Sequence, residues 1–193
     1  MTNNKHLVIV ILLLLIIIIS VKLHTCNKGN REQFYQNTPG PLTVEKCSKS
    51  MDELINLIES LKAINCPSKF NTAAIDEFLL IFLVAARAKG TSIFKNLSEL
   101  NQKESPRLIW ASKILNKIGI KNIITKSSMK IYGNPNLRTK KKIVIKNFMK
   151  DHRVFMASAI AALSFGGKWQ IHDKDSIKTS FPNFLKIIND LKK

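Results

Sequence analysis

The sequence predicts a mainly α-helical protein: a hydrophobic N-terminal helix followed by a small helical domain, with at most one short β-hairpin. Residues 7–19 are all Leu, Ile or Val, and apolar residues recur at helical spacing in later segments that end at Gly or Pro. The 193 residues leave room for one domain of ordinary size. We expect residues 1–23 to be a transmembrane anchor or signal segment, 24–45 a polar linker and 46–193 a basic helical domain.

The hydrophobic segment lies between Lys5 and Lys22. Its apolar residues favour insertion into a bilayer, and lysines at both ends can reach the interface of a membrane that is thicker than the segment. A cleaved signal peptide would need small residues at the cleavage site, where Lys22 and His24 stand instead. We therefore predict an uncleaved anchor, with a cleaved signal peptide or a lipoprotein modified at Cys26 as alternatives.

The orientation of the chain is open because two kinds of evidence disagree. Basic residues are more frequent just after the hydrophobic segment than before it, which favours a cytoplasmic domain. In the other direction, Cys47 and Cys66 are candidates for a disulfide, and Asn96 begins an Asn-Leu-Ser glycosylation sequon. We predict a single-pass membrane protein with its C-terminal domain outside the cytoplasm.

Two helices are predicted in the first half of the domain. Ser50 opens a capping box and a helix over residues 50–64, which ends at Cys66 and Pro67. Thr72 caps the next helix, which runs to about residue 88 and is apolar on all sides over residues 78–86. A helix apolar all round but too short to span a bilayer indicates the centre of the core.

The second half of the domain predicts further helices and a hairpin. Pro106 starts a helix that Gly119 ends, and Asp151 caps a buried helix over residues 154–165. The remaining segments are a short helix near residues 93–100, a hairpin of residues 123–125 and 129–132, a basic helix over 139–150, a strand at 169–172 and an amphipathic helix at 182–191.

The net charge of +18 is unevenly distributed along the chain. Residues 24–100 hold 9 basic and 8 acidic side chains, whereas residues 101–193 hold 20 basic and 5 acidic ones. This difference suggests a polyanionic partner for the second half, such as an anionic lipid, an acidic glycan or nucleic acid. A solvated lysine surface, produced by an AT-rich genome, is the alternative.

The basic helix predicted over residues 139–150 and its continuation carry the candidate polyanion-binding residues. At helical spacing Lys142, Lys146, Lys150 and Arg153 form one cationic stripe. Aromatic residues do not interleave with it, so base stacking is not supported and nucleic acid is the less expected partner. We predict contact with lipid headgroups, glycans or a protein.

Catalytic and metal motifs are weak in this sequence. His152 and His172 stand beside aspartates, but no pair of histidines four residues apart and no CxxC accompanies them. Glu104-Ser105 resembles the pair that opens the catalytic motif of lytic transglycosylases, but the rest of that motif is missing. We predict no catalytic residue, no metal site and no cofactor.

These observations favour a non-enzymatic, membrane-anchored protein whose basic helical domain contacts a protein or a polyanion at a membrane surface. A secreted or periplasmic enzyme with an unrecognised site is the first alternative. The second is an envelope protein of a large DNA virus involved in host entry, because a hydrophobic N-terminus followed promptly by lysine resembles the per os infectivity proteins of baculoviruses.

Overall fold

The computed structural model describes residues 61–190. Residues 61–182 belong to one compact unit and residues 183–190 to another. The predicted hydrophobic helix, the linker with its boundaries at 23 and 45, and most of the helix predicted at 50–64 lie outside the described residues. The domain boundaries therefore stay predictions.

Among the described residues, the first unit contains four α-helices and five strands, and the second contains one helix. The helices are α1 (Asn71–Ala74), α2 (Phe78–Arg87), α3 (Arg107–Ile118), α4 (His152–Phe165) and, in the second unit, α5 (Phe184–Asp190). The strands are β1 (Gly90–Phe94), β2 (Asn122–Ile124), β3 (Met129–Gly133), β4 (Lys142–Ile145) and β5 (Lys168–Ile171). Short 3-10 helices span Ser68–Phe70, Ile75–Glu77, Ser98–Gln102 and Lys174–Ile177.

The strands form two sheets, so the prediction of a mainly α protein is wrong. One sheet is antiparallel with the order β1-β3-β2, and the other consists of β4 and β5 in parallel. Because a parallel pair needs a crossover connection, helix α4 links β4 to β5 in a βαβ unit. The fold is α/β, with helices and sheets in one core.

Helix α2 lies at the centre of this core, as its sequence predicts. It packs against α3, α4 and strand β3, and its buried side chains include Phe78, Phe82 and Ala86. Two of the helix boundaries predicted from local chemistry are also confirmed, whereas the cap predicted at Thr72 is wrong, because Thr72 lies inside α1 and α1 has no side-chain cap. Gly119 ends α3 with a left-handed φ of 106°, and the side chain of Asp151 caps α4.

The basic helix predicted over residues 139–150 is wrong, because β4 occupies its middle. Ile143 and Ile145 are buried while Lys142 is exposed, which is the two-residue period of a half-buried strand. The β-branched run of residues 143–145 also favours a strand. The lysine spacing suggested a helical period that the apolar residues do not share.

Two other helical segments are extended. Residues 61–66, predicted as a helix end, run parallel to β1, and the Ile93 amide donates to the Ile64 carbonyl at 2.9 Å. Ile93 itself was assigned to a short helix and lies in β1. The predicted hairpin is confirmed, since β2 and β3 pair with Ile124 opposite Met129.

Candidate functional site

A buried arginine is the centre of the most strongly charged site in the described chain. Arg107, the first residue of α3, has a side chain that is 2% exposed. Its Nε donates to Asp151 Oδ2 at 2.9 Å, its Nη1 donates to Asp76 Oδ1 at 2.8 Å, and its Nη2 donates to Glu104. A charge this deeply buried requires such partners, because its desolvation costs several kcal/mol.

Asp151 is the fully buried partner of Arg107, and it also holds the start of α4. It accepts from the Arg153 amide at 2.9 Å and from Ser105 Oγ at 2.8 Å. Burial alone raises the pKa of the Asp151 carboxyl, but the hydrogen bonds from Arg107 and Ser105 outweigh it, and the pKa lies below its usual value. Asp151 therefore stays ionised, and its single carboxylate holds the starts of both α3 and α4.

A second arginine belongs to the first turn of α4. Arg153 Nη1 is 2.5 Å from Glu77 Oε1, and the two side chains are 29% and 39% exposed. Glu77 is the last residue of the 3-10 helix that leads into α2. This pair is therefore accessible to solvent, unlike the pair of Arg107 and Asp151.

The starts of α2, α3 and α4 meet at these ion pairs. We call the residues that join them the helix-start cluster: Asp76, Glu77, Glu104, Ser105, Arg107, Asp151 and Arg153. Helix N-termini and guanidinium groups both attract oxyanions. The carboxylates of Asp76 and Glu104 are half exposed, so they can exchange protons with a bound molecule. The cluster is thus equipped to bind an anion and to move a proton.

The structure separates the four residues that the sequence placed on one helical stripe. Lys142 lies in β4 beside Lys168 of β5, Lys146 follows the strand, Lys150 has a left-handed φ of 56°, and Arg153 alone belongs to the helix-start cluster. The predicted stripe is wrong as a geometric feature, because a strand, a loop and a helix carry its members. Binding of a polyanion by Lys142, Lys146, Lys150 and Arg153 stays a prediction.

The disulfide and glycosylation predictions remain untested. Cys66 is half-buried, and burial raises the pKa of its thiol. Its predicted partner Cys47 lies outside the described residues. Asn96 is exposed and its Nδ2 donates to Ser68 Oγ at 3.1 Å.

Sequence reasoning missed most of the helix-start cluster. It assigned Asp151 as a cap, and it considered His152, which begins α4, and His172, which is exposed after β5. Within residues 61–190, no three His, Cys, Asp or Glu side chains are grouped to hold a metal ion. A useful signal was the scarcity of acids: Glu104 is one of only five acidic residues after residue 100, and it stands three residues before an arginine.

The comparisons with known proteins agree with one another. Residues 48–188 match the family model of EPSP synthase (3-phosphoshikimate 1-carboxyvinyltransferase). The chain is 40% identical over 133 residues to the 3-phosphoshikimate 1-carboxyvinyltransferase of Ruthia magnifica subsp. Calyptogena magnifica, covering 69% of this chain and 30% of that protein. The enzyme of Bacillus pumilus is 35% identical over 134 residues, covering 69% and 31%.

A solved structure gives the same result. EPSP synthase from Acinetobacter baumannii superimposes with a TM-score of 0.60 at 30% identity, covering 67% of this chain and 30% of that one. The present chain thus spans about 30% of the length of the relatives that it matches.

These matches overturn the predicted function. The prediction of a non-enzymatic binding protein is wrong, because the matched family consists of enzymes that transfer a carboxyvinyl group. The predicted membrane, lipid and glycan partners are wrong for the same reason, since the family acts on small substrates.

The predicted single-pass membrane localisation is contradicted by the same family match. In the part of the chain that the structure describes, no helix combines the length and the apolar character needed to cross a membrane. Residues 7–19 lie outside that part.

Proposed function

The chain belongs to the EPSP synthase family, and we propose that its helix-start cluster forms the anion-binding and proton-transfer part of a 3-phosphoshikimate 1-carboxyvinyltransferase site. The observation that carries this proposal is the pair of guanidinium groups, Arg107 and Arg153, surrounded by carboxylates where three helices begin.

The substrates of the family are 3-phosphoshikimate and phosphoenolpyruvate, and both carry several negative charges. A guanidinium binds a carboxylate or a phosphate through two parallel hydrogen bonds. Arg153 is partly exposed, so it offers such a contact directly. Arg107 is buried, and its positive charge contributes mainly by holding Asp76 and Glu104 in place.

Carboxyvinyl transfer from phosphoenolpyruvate forms a bond between the enol carbon and an acceptor oxygen and breaks the bond between that carbon and the phosphate oxygen. Phosphate is released, and in the overall balance it carries away the proton of the acceptor hydroxyl. The acceptor hydroxyl must give up its proton, and a carboxylate placed within hydrogen-bond reach can take it. Asp76 and Glu104 are half exposed and are oriented by their hydrogen bonds to Arg107. These two residues are therefore our candidates for the proton-transfer groups.

Because the chain spans about 30% of the length of its relatives, substrate binding is the property that we assign to it most directly. The test is calorimetric titration of the full chain with phosphoenolpyruvate and with 3-phosphoshikimate. We expect Arg153→Gln to weaken binding of at least one of them about 10- to 100-fold, the usual value of a hydrogen bond to a charged group.

Arg138→Gln is the matched control, because Arg138 donates to the Ser164 carbonyl near the opposite end of α4. It removes the same charge and should leave binding unchanged at physiological salt. Equal losses in the two variants would mean that binding follows overall charge, and this would contradict the proposed site. Unchanged binding by Arg153→Gln would contradict it too.

A further inference from the structure

The contact between Arg153 and Glu77 places a carboxylate where an anionic substrate would bind. Arg153 Nη1 donates to Glu77 Oε1 at 2.5 Å, and a guanidinium paired with a carboxylate is also the chemistry by which an arginine binds a carboxylate ligand. Neither side chain is fully buried, at 39% and 29% exposed. The ion pair can therefore open toward solvent without uncovering the core.

The charge of the cluster makes this contact significant. Its four carboxylates, on Asp76, Glu77, Glu104 and Asp151, exceed its two guanidinium groups. An anion that approaches Arg153 therefore meets a cluster in which negative charges already outnumber positive ones. Binding must therefore displace or overcome a negative charge, and the carboxylate bound to the same guanidinium is the nearest one.

We propose that Glu77 sets the anion affinity of the site by occupying the Arg153 guanidinium until a phosphate or carboxylate group of the ligand replaces it. This inference rests on the proposed function, because it assumes that Arg153 is the group that receives the ligand. Glu77 then acts as an affinity-determining residue, and the exchange breaks one ion pair while it forms another.

The other carboxylates are less suited to this exchange. Asp151 is fully buried and caps α4, so its departure would disrupt the start of that helix. Asp76 and Glu104 pair with Arg107, which is 2% exposed, so the departure of either carboxylate would remove a partner from a buried cation. Glu77 instead pairs with the accessible arginine.

The experiment measures binding of inorganic phosphate and of phosphoenolpyruvate to the full chain and to Glu77→Gln. The amide keeps the shape of the side chain and removes its charge. We expect Glu77→Gln to bind phosphate about three- to tenfold more tightly, because a competing partly exposed ion pair is lost. Glu77→Ala should show the same tightening, and this second variant excludes an effect of the new amide.

Asp175→Asn is the control for charge alone. Asp175 pairs with Lys178, 3.0 Å away, instead of with an arginine of the cluster. The control removes one negative charge from the chain and should leave phosphate affinity unchanged. In the Arg153→Gln background, Glu77→Gln should no longer tighten binding, because the guanidinium that Glu77 occupies is gone.

The outcomes separate this inference from the proposed function. If the parent binds and Arg153→Gln does not, but Glu77→Gln binds equally or more weakly, then Glu77 positions Arg153 or is neutral, and the inference is overturned alone. If neither the parent nor Glu77→Gln binds phosphate or phosphoenolpyruvate, the proposed function is overturned, and the inference with it.

Discussion

Two groups of arginines lie at opposite ends of the same helices and are bound in opposite ways. At the helix starts, Arg107 and Arg153 pair with carboxylates. At the helix ends, Arg87 donates to the carbonyls of Pro135 at 2.6 Å and Leu137 at 3.1 Å, and Arg87 and Arg138 both donate to the Ser164 carbonyl. We call Arg87, Arg138 and these carbonyls the helix-end cluster.

The difference follows from the polarity of a helix. The Ser164 carbonyl lies in the last turn of α4, where helix carbonyls lack partners and carry partial negative charge, and the Pro135 and Leu137 carbonyls lie in the loop after β3. An arginine placed there is stabilised without any acid. Arg87 also lies over the Phe165 ring at 4.3 Å. Burial lowers the pKa of Arg87 and the nearby Arg138 lowers it further, whereas Asp151 and the other acids raise the pKa of Arg107 above its usual value despite burial.

An arginine at the start of a helix faces the positive end of the dipole, and it is stable there only with added carboxylates. This arrangement uses several of the few acidic residues of the chain, although a neutral side chain in place of each arginine would need no carboxylate partner. We infer that the helix-end cluster serves the fold and the helix-start cluster serves ligand binding.

The largest expected effect is on the buried pair of Arg107 and Asp151. Asp151→Asn keeps a side-chain oxygen that can cap α4 but leaves Arg107 without its buried counter-ion. We expect the free energy of unfolding, measured by urea denaturation, to fall by about 3 kcal/mol or more. Asp151→Ala also removes the cap and should cost about 1 kcal/mol more. A loss below about 1 kcal/mol in Asp151→Asn would show that Asp76 and Glu104 suffice for Arg107.

The same pair predicts a pH dependence. The folded-state pKa of Asp151 is lowered, so its contribution is fully present above the unfolded value of about 3.9 and is lost as pH falls toward the folded pKa. The stability difference between the parent and Asp151→Asn should therefore be constant near neutral pH and shrink below about pH 4. Urea midpoints measured from pH 3 to pH 7 test this, and a constant difference across that range would contradict it.

A smaller loss is expected at the helix-end cluster. Arg87→Lys keeps the charge, but an ammonium group cannot reproduce the fork that reaches three carbonyls. We expect about 2 kcal/mol of destabilisation in urea and no change in phosphoenolpyruvate affinity. If Arg87→Lys weakened binding as Arg153→Gln does, the division between a structural and a functional cluster would fail.

The smallest effect is expected for Ser105→Ala. This variant removes one hydrogen bond to Asp151 and should cost about 1 kcal/mol. Because that bond lowers the pKa of Asp151, its loss should move acid unfolding to a higher pH. Ser112→Ala is the matched control within α3, the helix that begins two residues after Ser105, since Ser112 donates to the neutral amide oxygen of Asn122. It should leave the acid transition in place.

Local chemistry predicted the central helices well. The apolar run of residues 78–86, the stop at Gly119 and the cap at Asp151 each depend on residues that are neighbours in sequence. The strand β4 was missed because the lysines in and around it follow a different period from its two isoleucines. In such a segment the buried apolar residues decide the structure, since exposed lysines are accommodated in either form.

The candidate site could not be assembled from the sequence, because its contacts join distant positions. Arg107 meets Asp151 across 44 residues and Asp76 across 31, and no pattern in a single sequence encodes such pairs. The sequence predicted the local role of Asp151 as the cap of α4, but it did not predict the long-range contact of Asp151 with Arg107. The many lysines and the high net charge led to the prediction of a polyanion-binding stripe, whereas the candidate site depends on the few acidic residues.

The double role of Asp151 has a consequence for how the site can fail. Its carboxylate holds the amide of Arg153 and the guanidinium of Arg107 at once. An opening that carries Asp151 away with the first turn of α4 therefore also removes the buried counter-ion of Arg107, and leaves it only the half-exposed carboxylates of Asp76 and Glu104. In a hydrogen-exchange experiment, the amide of Arg153 should exchange only through the opening that also breaks the pair of Arg107 and Asp151.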